Sequence, residues 1–332
     1  YFLFEKYDKA VENYQIAYAK KPDLPQIRLR LANALIMTPQ AQEAAPILRQ
    51  LFQESPQDIV LCDRIIWLAT ERQDWNEALL YHQKALAISP PNPERYMAIA
   101  KIAFSLQKFE LARFYLENAI ARFPNFPMFY YHYALALSYT KDYFKSLNYF
   151  SLLEVELNQG NLQINPGEFY YEYGNTAYKA GLLDRSIELL GKAVATNGPF
   201  AAPAANDLGY IWVKRGENLD EAGQLIRKAL EADPNNGAYL DSLGWWYFQR
   251  KEFSKALSTL LQALEALDSP DPEVLEHIGD TLAALGNFPQ AFLFWNKSRQ
   301  INPNNPNLLG KIHNTEKNFL LNPQQTNSPS TF

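Results

Sequence analysis

One cysteine, Cys62, and four histidines are the only thiol and imidazole groups in this 332-residue chain. A lone cysteine excludes an intramolecular disulfide framework and any multi-cysteine metal site, and leaves the redox compartment open. His82, His132, His277 and His313 lie far apart, and none has a partner at the spacing of an HExxH or Cys-x-x-Cys site. The 14 glycines form neither a phosphate-cradling loop nor a GxSxG nucleophile elbow. No apolar run reaches the roughly 18 residues that a membrane-spanning helix needs. Basic charge is also scarce: a net charge of −5 and a pI near 5.5 argue against nucleic acid as a partner. The chain opens on Tyr1, with neither an initiator Met nor a secretory signal pattern. No cofactor, no metal and no catalysis are expected, so function is sought in binding.

What the chain does have is a period. Pro22, Pro56, Pro90 and Pro124 fall 34 residues apart, and Ala10, Ala44, Ala78, Ala112 and Ser146 keep the same step. Two independent ladders with one period mean that a single helix–turn–helix unit is repeated. Aligning them gives a truncated unit at 1–24 and eight full ones at 25–58, 59–92, 93–126, 127–166, 167–201, 202–236, 237–271 and 272–305. In the unit at 93 the pattern reads Tyr96, Ile99, Ala100, Ala103, Phe109, Ala112, Leu116, Ala119 and Pro124. Small residues at the eighth, twentieth and twenty-seventh positions, such as Gly244, Ala256 and Ala263, let two helices approach closely. Pro at the end lacks a donor and stops the second helix. No segment alternates with period two, so the expected fold is all-α, an α-solenoid of about 17 or 18 antiparallel helices in which each repeat packs on its neighbours. A hydrophobic content of 47% excludes general disorder.

The regularity breaks in two places. The unit at 127 is longer than its predecessors near Leu157–Pro166, as a longer second helix or as an exposed loop. Around Gly198–Pro203 an unusual connector intervenes. After Asn305, residues 306–321 read as a capping helix, and 322–332 as a disordered tail.

These recurring positions resemble the tetratricopeptide repeat family across about residues 1–305. The resemblance implies a right-handed superhelix of antiparallel helix pairs whose first helices line a concave groove, and a non-catalytic role in holding a protein or peptide partner. In the family's register Tyr1 sits near the end of a first helix, so a longer parent protein is expected. The strings Leu208-Gly209-Tyr210, Leu219-Asp220-Glu221-Ala222, Asp241-Ser242-Leu243-Gly244-Trp245 and His277-Ile278-Gly279-Asp280 are similar to the C-terminal repeats of bacterial cell-envelope repeat proteins, many of them lipoproteins. That similarity implies a periplasmic or outer-membrane-associated setting, although the lipid-bearing Cys of such proteins is not in this chain and a cytoplasmic setting stays open.

By the same resemblance, positions 2, 5, 9, 12 and 13 of each first helix face inward. They supply the candidate partner-binding residues Trp67, Phe104, Tyr131, Tyr139, Tyr171, Asn175, Tyr178, Asn206, Tyr210, Asp241, Trp245 and Phe248, with Glu71, Met97, Lys101, Lys179 and Lys214 among them. Rings with polar tips suit binding, and Asn can bracket a peptide backbone with donor and acceptor. The alternative is that neighbouring helices bury these rings against each other. The site is expected to centre on the units at 127–271. Scattered Asn175, Lys179, Asn206 and Lys214 do not make the two-carboxylate clamp of chaperone-binding repeats. Glu273, Glu276 and Asp280 share one helix face, either as an acidic patch for a basic segment or weak cation, or as a solvated surface. His82 and Cys62 read as core residues. Three roles follow: an envelope adaptor, a substrate-selecting arm of a larger enzyme, or an array in which a second copy makes a homo-oligomer.

Overall fold

The computed structural model describes residues 6–321, with side chains as far as Thr315, so the tail at 322–332 lies outside the described residues. Among them are 18 α-helices, one 3-10 turn at Ala41–Glu43, and no strand. In chain order they are α1 (Tyr7–Lys20), α2 (Pro25–Ile36), α3 (Ala44–Glu54), α4 (Ile59–Glu71), α5 (Trp75–Ile88), α6 (Pro93–Ser105), α7 (Phe109–Arg122), α8 (Pro127–Tyr139) and α9 (Tyr143–Asn158). The remainder are α10 (Pro166–Lys179), α11 (Leu183–Ala195), α12 (Ala201–Arg215), α13 (Leu219–Ala232), α14 (Gly237–Gln249), α15 (Phe253–Ala266), α16 (Pro272–Ala284), α17 (Phe288–Ile301) and α18 (Pro306–Leu321). The all-α repeat solenoid expected from the period is what forms. Two compact units divide at Gln163/Ile164: α1–α9 belong to the first and α10–α18 to the second.

Local chemistry sets the helix ends. Pro occupies the first turn of α2, α6, α8, α10 and α16, where its missing N–H has no helical partner in any case. Asp58, Asn92, Asn165, Asn236 and Asp271 cap helices by accepting from backbone N–H groups one turn in. The turn inside a helix pair runs through a left-handed residue two positions before the second helix, at Gln73, Gln107, Lys141, Gly181, Lys251 and Gly286.

Within a unit, each helix packs on the next, and small residues make the seam. Ala78, Ala112, Ser146, Ala256 and Ala291 are fully buried. A Cβ on Gly279 would lie 2.4 Å from the Trp295 ring, which shows how closely α16 and α17 approach. The irregularity before Pro166 combines both expected forms: α9 runs to Asn158, and a loop at 159–165 follows with Leu162 buried.

Candidate functional site

In the second unit the first helices of successive pairs touch directly, α12 with α14 and α14 with α16. Side chains three or four residues apart on each share a face. The faces of α10, α12, α14 and α16 converge on one contact, where the Tyr210 hydroxyl donates to Glu273 Oε1 at 2.5 Å. Lys214 Nζ approaches the same oxygen at 3.5 Å and lies 5.5 Å over the Tyr210 ring. Three cavities adjoin this contact. One of about 200 Å³ lies among Asn206, Asp241 and Glu273. Another of about 270 Å³ is bordered by Trp245, His277 and Lys311. The last, of about 180 Å³, is bordered by Asn175, Tyr178 and Asp207.

Next to the contact is a stack of three rings. Trp245 lies 4.3 Å from Phe248 and 4.0 Å from His277, with interplanar angles of 8° and 14°. His277 is buried and its Nδ1 meets Asp241 Oδ1 at 2.9 Å. Burial opposes a charge on His277, but Asp241, Glu273 and Asp280 outweigh it and raise its pKa. Burial also raises the phenol pKa of Tyr210, reinforced by Glu273, so the hydroxyl remains a donor. Glu273 is held below the usual carboxylate value: burial works the other way, but the Tyr210 hydrogen bond and the neighbouring His277 and Lys214 prevail.

Of the expected residues, Asn175, Tyr178, Asn206, Tyr210, Asp241, Trp245 and Phe248 gather at this surface. Asn206 and Asp241 are buried rather than presented on it. Tyr171 is half-buried, with its ring 5.7 Å from that of Phe200. In the first unit the outcome differs. Tyr131 is 1% exposed and packs edge-on to Phe150, so groove exposure is corrected: the ring belongs to the interior of its helix pair. Tyr139 stacks on Phe109 at 4.4 Å with Phe104 beside it, and exposes its outer face. Trp67 is 43% exposed on α4.

Only one end of the acidic row is solvated, at Glu273, whose side chain is 53% exposed. Glu276 and Asp280 are 14% and 13% exposed, and both accept from Lys311 on α18 at 2.6 Å. Sequence reasoning had not assigned Asp207, Glu273, His277 or Lys311 to this surface. The register of inward positions 2, 5 and 9, carried one unit further, falls on Glu273, Glu276 and Asp280 and was the available signal. His82 and Cys62 behave as core residues. Burial lowers the His82 pKa to about 4 and raises the Cys62 thiol to about 11.

With this geometry in place, four tetratricopeptide repeat family models match the chain, at residues 1–61, 93–126, 171–237 and 210–311. The chain belongs to the tetratricopeptide repeat proteins, which are typically non-catalytic protein-interaction scaffolds. A TPR repeat-containing protein of Pseudomonas aeruginosa, PA4667, is 38% identical over 87 residues, 26% of this chain and 14% of that protein. The match thus spans a small part of that relative's length. Among solved structures, a tetratricopeptide repeat protein from Parabacteroides merdae aligns with a TM-score of 0.59 at 16% identity, over 77% of this chain and 97% of its own. A chain of the APC/C hetero-tetramer Cut9–Hcn1 aligns with a TM-score of 0.59 at 16% identity, over 86% of this chain and 55% of its own. At such identities the likeness concerns the fold. No helix among the described residues is long and apolar enough to cross a membrane.

Proposed function

We propose that the chain is a non-catalytic scaffold whose second unit holds an extended protein segment against the faces of α10, α12, α14 and α16. The observation that carries this reading is the meeting of three cavities at the Tyr210–Glu273 contact, beside the Phe248–Trp245–His277 stack. Rings already stacked, with polar groups at their edges, give contact area at little further loss of side-chain freedom. Asn175 supplies an amide suited to a peptide backbone. An adaptor role in a bacterial cell envelope belongs to the same proposal. It is supported by the likeness of the strings between residues 204 and 303 and by a bacterial relative.

The test is calorimetry with a partner that co-purifies with the chain. Trp245→Ala combined with Tyr178→Ala should weaken binding by about 30-fold or more, since truncating a central aromatic anchor costs about 2 kcal/mol or more. Gln262→Ala, on an exposed position of α15, should leave it unchanged. A double variant that keeps its helical content and binds like wild type would overturn the assignment.

A further inference from the structure

We propose that the cavity between α12, α14 and α16 receives an arginine side chain of the partner segment, an inference that rests on the second unit's inner face being the surface that holds a peptide. The cavity holds about 200 Å³ and its polar wall is almost entirely acceptor. Asn206 is 5% exposed, and its Oδ1 has no hydrogen-bond partner, while its Nδ2 donates to Asp207 Oδ1 at 3.3 Å. A buried amide oxygen left without a donor is costly and therefore uncommon. Three carboxylates share the wall, of which Asp271 accepts from the Glu273 and Val274 backbone N–H groups through Oδ1. Glu273 accepts through Oε1 from Tyr210 and Lys214, and Asp241 engages His277 through Oδ1. The second oxygen of each accepts no hydrogen bond among the described residues. No Lys or Arg lines the cavity, and the Ser242 hydroxyl already donates to the Ala238 carbonyl.

The polar lining comes from three helices, Asn206 on α12, Asp241 on α14 and Glu273 on α16, with Asp271 at the N-cap of α16. A guanidinium presents five N–H donors in a flat fork, against the three of a compact ammonium, and so can satisfy more of these acceptors. A metal ion is a poor match, because no group of three His, Cys, Asp or Glu among the described residues is placed to hold one. Ala238, Leu267 and Val274 complete the wall with apolar surface suited to an arginine's methylene stem. The chain's own Lys214, 53% exposed, reaches Glu273 from the rim and would compete with an incoming cation.

The experiment titrates the full chain with four blocked pentapeptides, alanine throughout except for Arg, Lys, Gln or Glu at the centre, followed by calorimetry and by indole N–H resonances. The Arg peptide should bind about tenfold tighter than the Gln peptide, with Lys between and Glu weakest, and the preference should shrink with salt. Glu273→Gln should lower Arg-peptide affinity about fivefold or more while leaving the Gln peptide unaffected. Asn206→Ala should do the same, and because Glu273 is the more exposed of the two its variant keeps the test valid if Asn206→Ala disturbs folding. Lys214→Gln should tighten Arg-peptide binding by removing the competitor. Equal affinity for the Arg and Gln peptides, or an unchanged Arg preference in folded Glu273→Gln, overturns the arginine pocket. The peptide-holding surface itself is judged separately by the Trp245 and Tyr178 variants against the co-purified partner.

Discussion

Gly279→Ala adds one carbon at the closest approach between α16 and α17. The new Cβ would sit 2.4 Å from Trp295 Cδ1 and 2.5 Å from Nε1. Carbon atoms rest about 3.5 Å or more apart, so the indole must retreat by about 1 Å. It has little room, being 3% exposed, and its Nε1 donates to Asp280 Oδ1 at 3.0 Å. Overpacking of this kind costs about 1–3 kcal/mol, and weakening a hydrogen bond to a charged group adds up to about 2 kcal/mol. Alanine's better helix propensity returns about 1 kcal/mol. The expected net loss is about 2 kcal/mol. Gly191→Ala is the matched control: it lies within α11 of the same unit and its Cβ would meet nothing within 4 Å, so only the helix-propensity gain of about 1 kcal/mol remains. Urea denaturation should therefore separate the two variants by about 3 kcal/mol. Hydrogen exchange should place the loss in α16 and α17, because contacts run between neighbours. A Gly279→Ala protein as stable as Gly191→Ala would refute the packing argument.

The left-handed turns give a second prediction. Lys141 has φ 66°, so Lys141→Gly should stabilise by about 0.5–1 kcal/mol, while Gly286→Ala at φ 80° should destabilise by about 1 kcal/mol; thermal denaturation reads both, and like signs would contradict the reasoning. The pH dependence follows from His277. Its folded pKa is raised, so the pair with Asp241 contributes stability that is fully present below the ordinary histidine value near 6.5 and is lost as pH rises through the folded value. Asp241→Asn should thus cost more at about pH 5.5 than at about pH 8.5 in urea melts, and an equal loss at both would remove the ion pair from the account.

The architecture was legible because helix packing in a solenoid is a local rule repeated in register. Ala78, Ala112 and Ser146 are buried wherever the same step recurs, and each tells the reader about its neighbours. The left-handed residue before each second helix was harder to see, since Gln73, Gln107, Lys141 and Lys251 occupy a place that Gly181 and Gly286 share. No composition rule marks glutamine or lysine as a turn residue; the surrounding helices impose the conformation on them. The inner surface was only half legible for a different reason. Register says that a side chain points inward, but not whether the next first helix covers it. Tyr131 and Tyr210 both fall on inward positions of the register; one is sealed against Phe150, and the other reaches Glu273. The pairing that decides between the two readings of the acidic row was not legible, because Lys311 lies 31 residues from Asp280 and becomes its neighbour only when α18 folds back.

Lys311 therefore deserves a test of its own, and its pH profile separates two physical accounts. Its Nζ lies 2.6 Å from both Glu276 Oε1 and Asp280 Oδ2, whose side chains are 14% and 13% exposed. If this were an ordinary surface pair, Lys311→Ala would cost about 0–1 kcal/mol with little dependence on pH. Here removal leaves two poorly solvated carboxylates facing each other. Breaking a fully buried pair costs about 3–5 kcal/mol, and the partial exposure of Lys311 brings the expected loss nearer to about 2 kcal/mol at neutral pH. Burial already raises the Asp280 pKa, and Lys311 is the first influence opposing it, so the variant should raise it further. A carboxyl with a raised folded pKa favours folding when protonated. That contribution is fully present below its ordinary value near 3.9 and is lost as pH rises through the folded value. The gap between Lys311→Ala and wild type should accordingly narrow as pH falls from about 7 to about 5. Adding Asp280→Asn should remove most of that narrowing, because it deletes the titrating group while keeping its shape. A gap that is constant with pH, or unaffected by Asp280→Asn, would return the contact to the surface class and leave α18 attached by its apolar residues, Leu308 and Ile312.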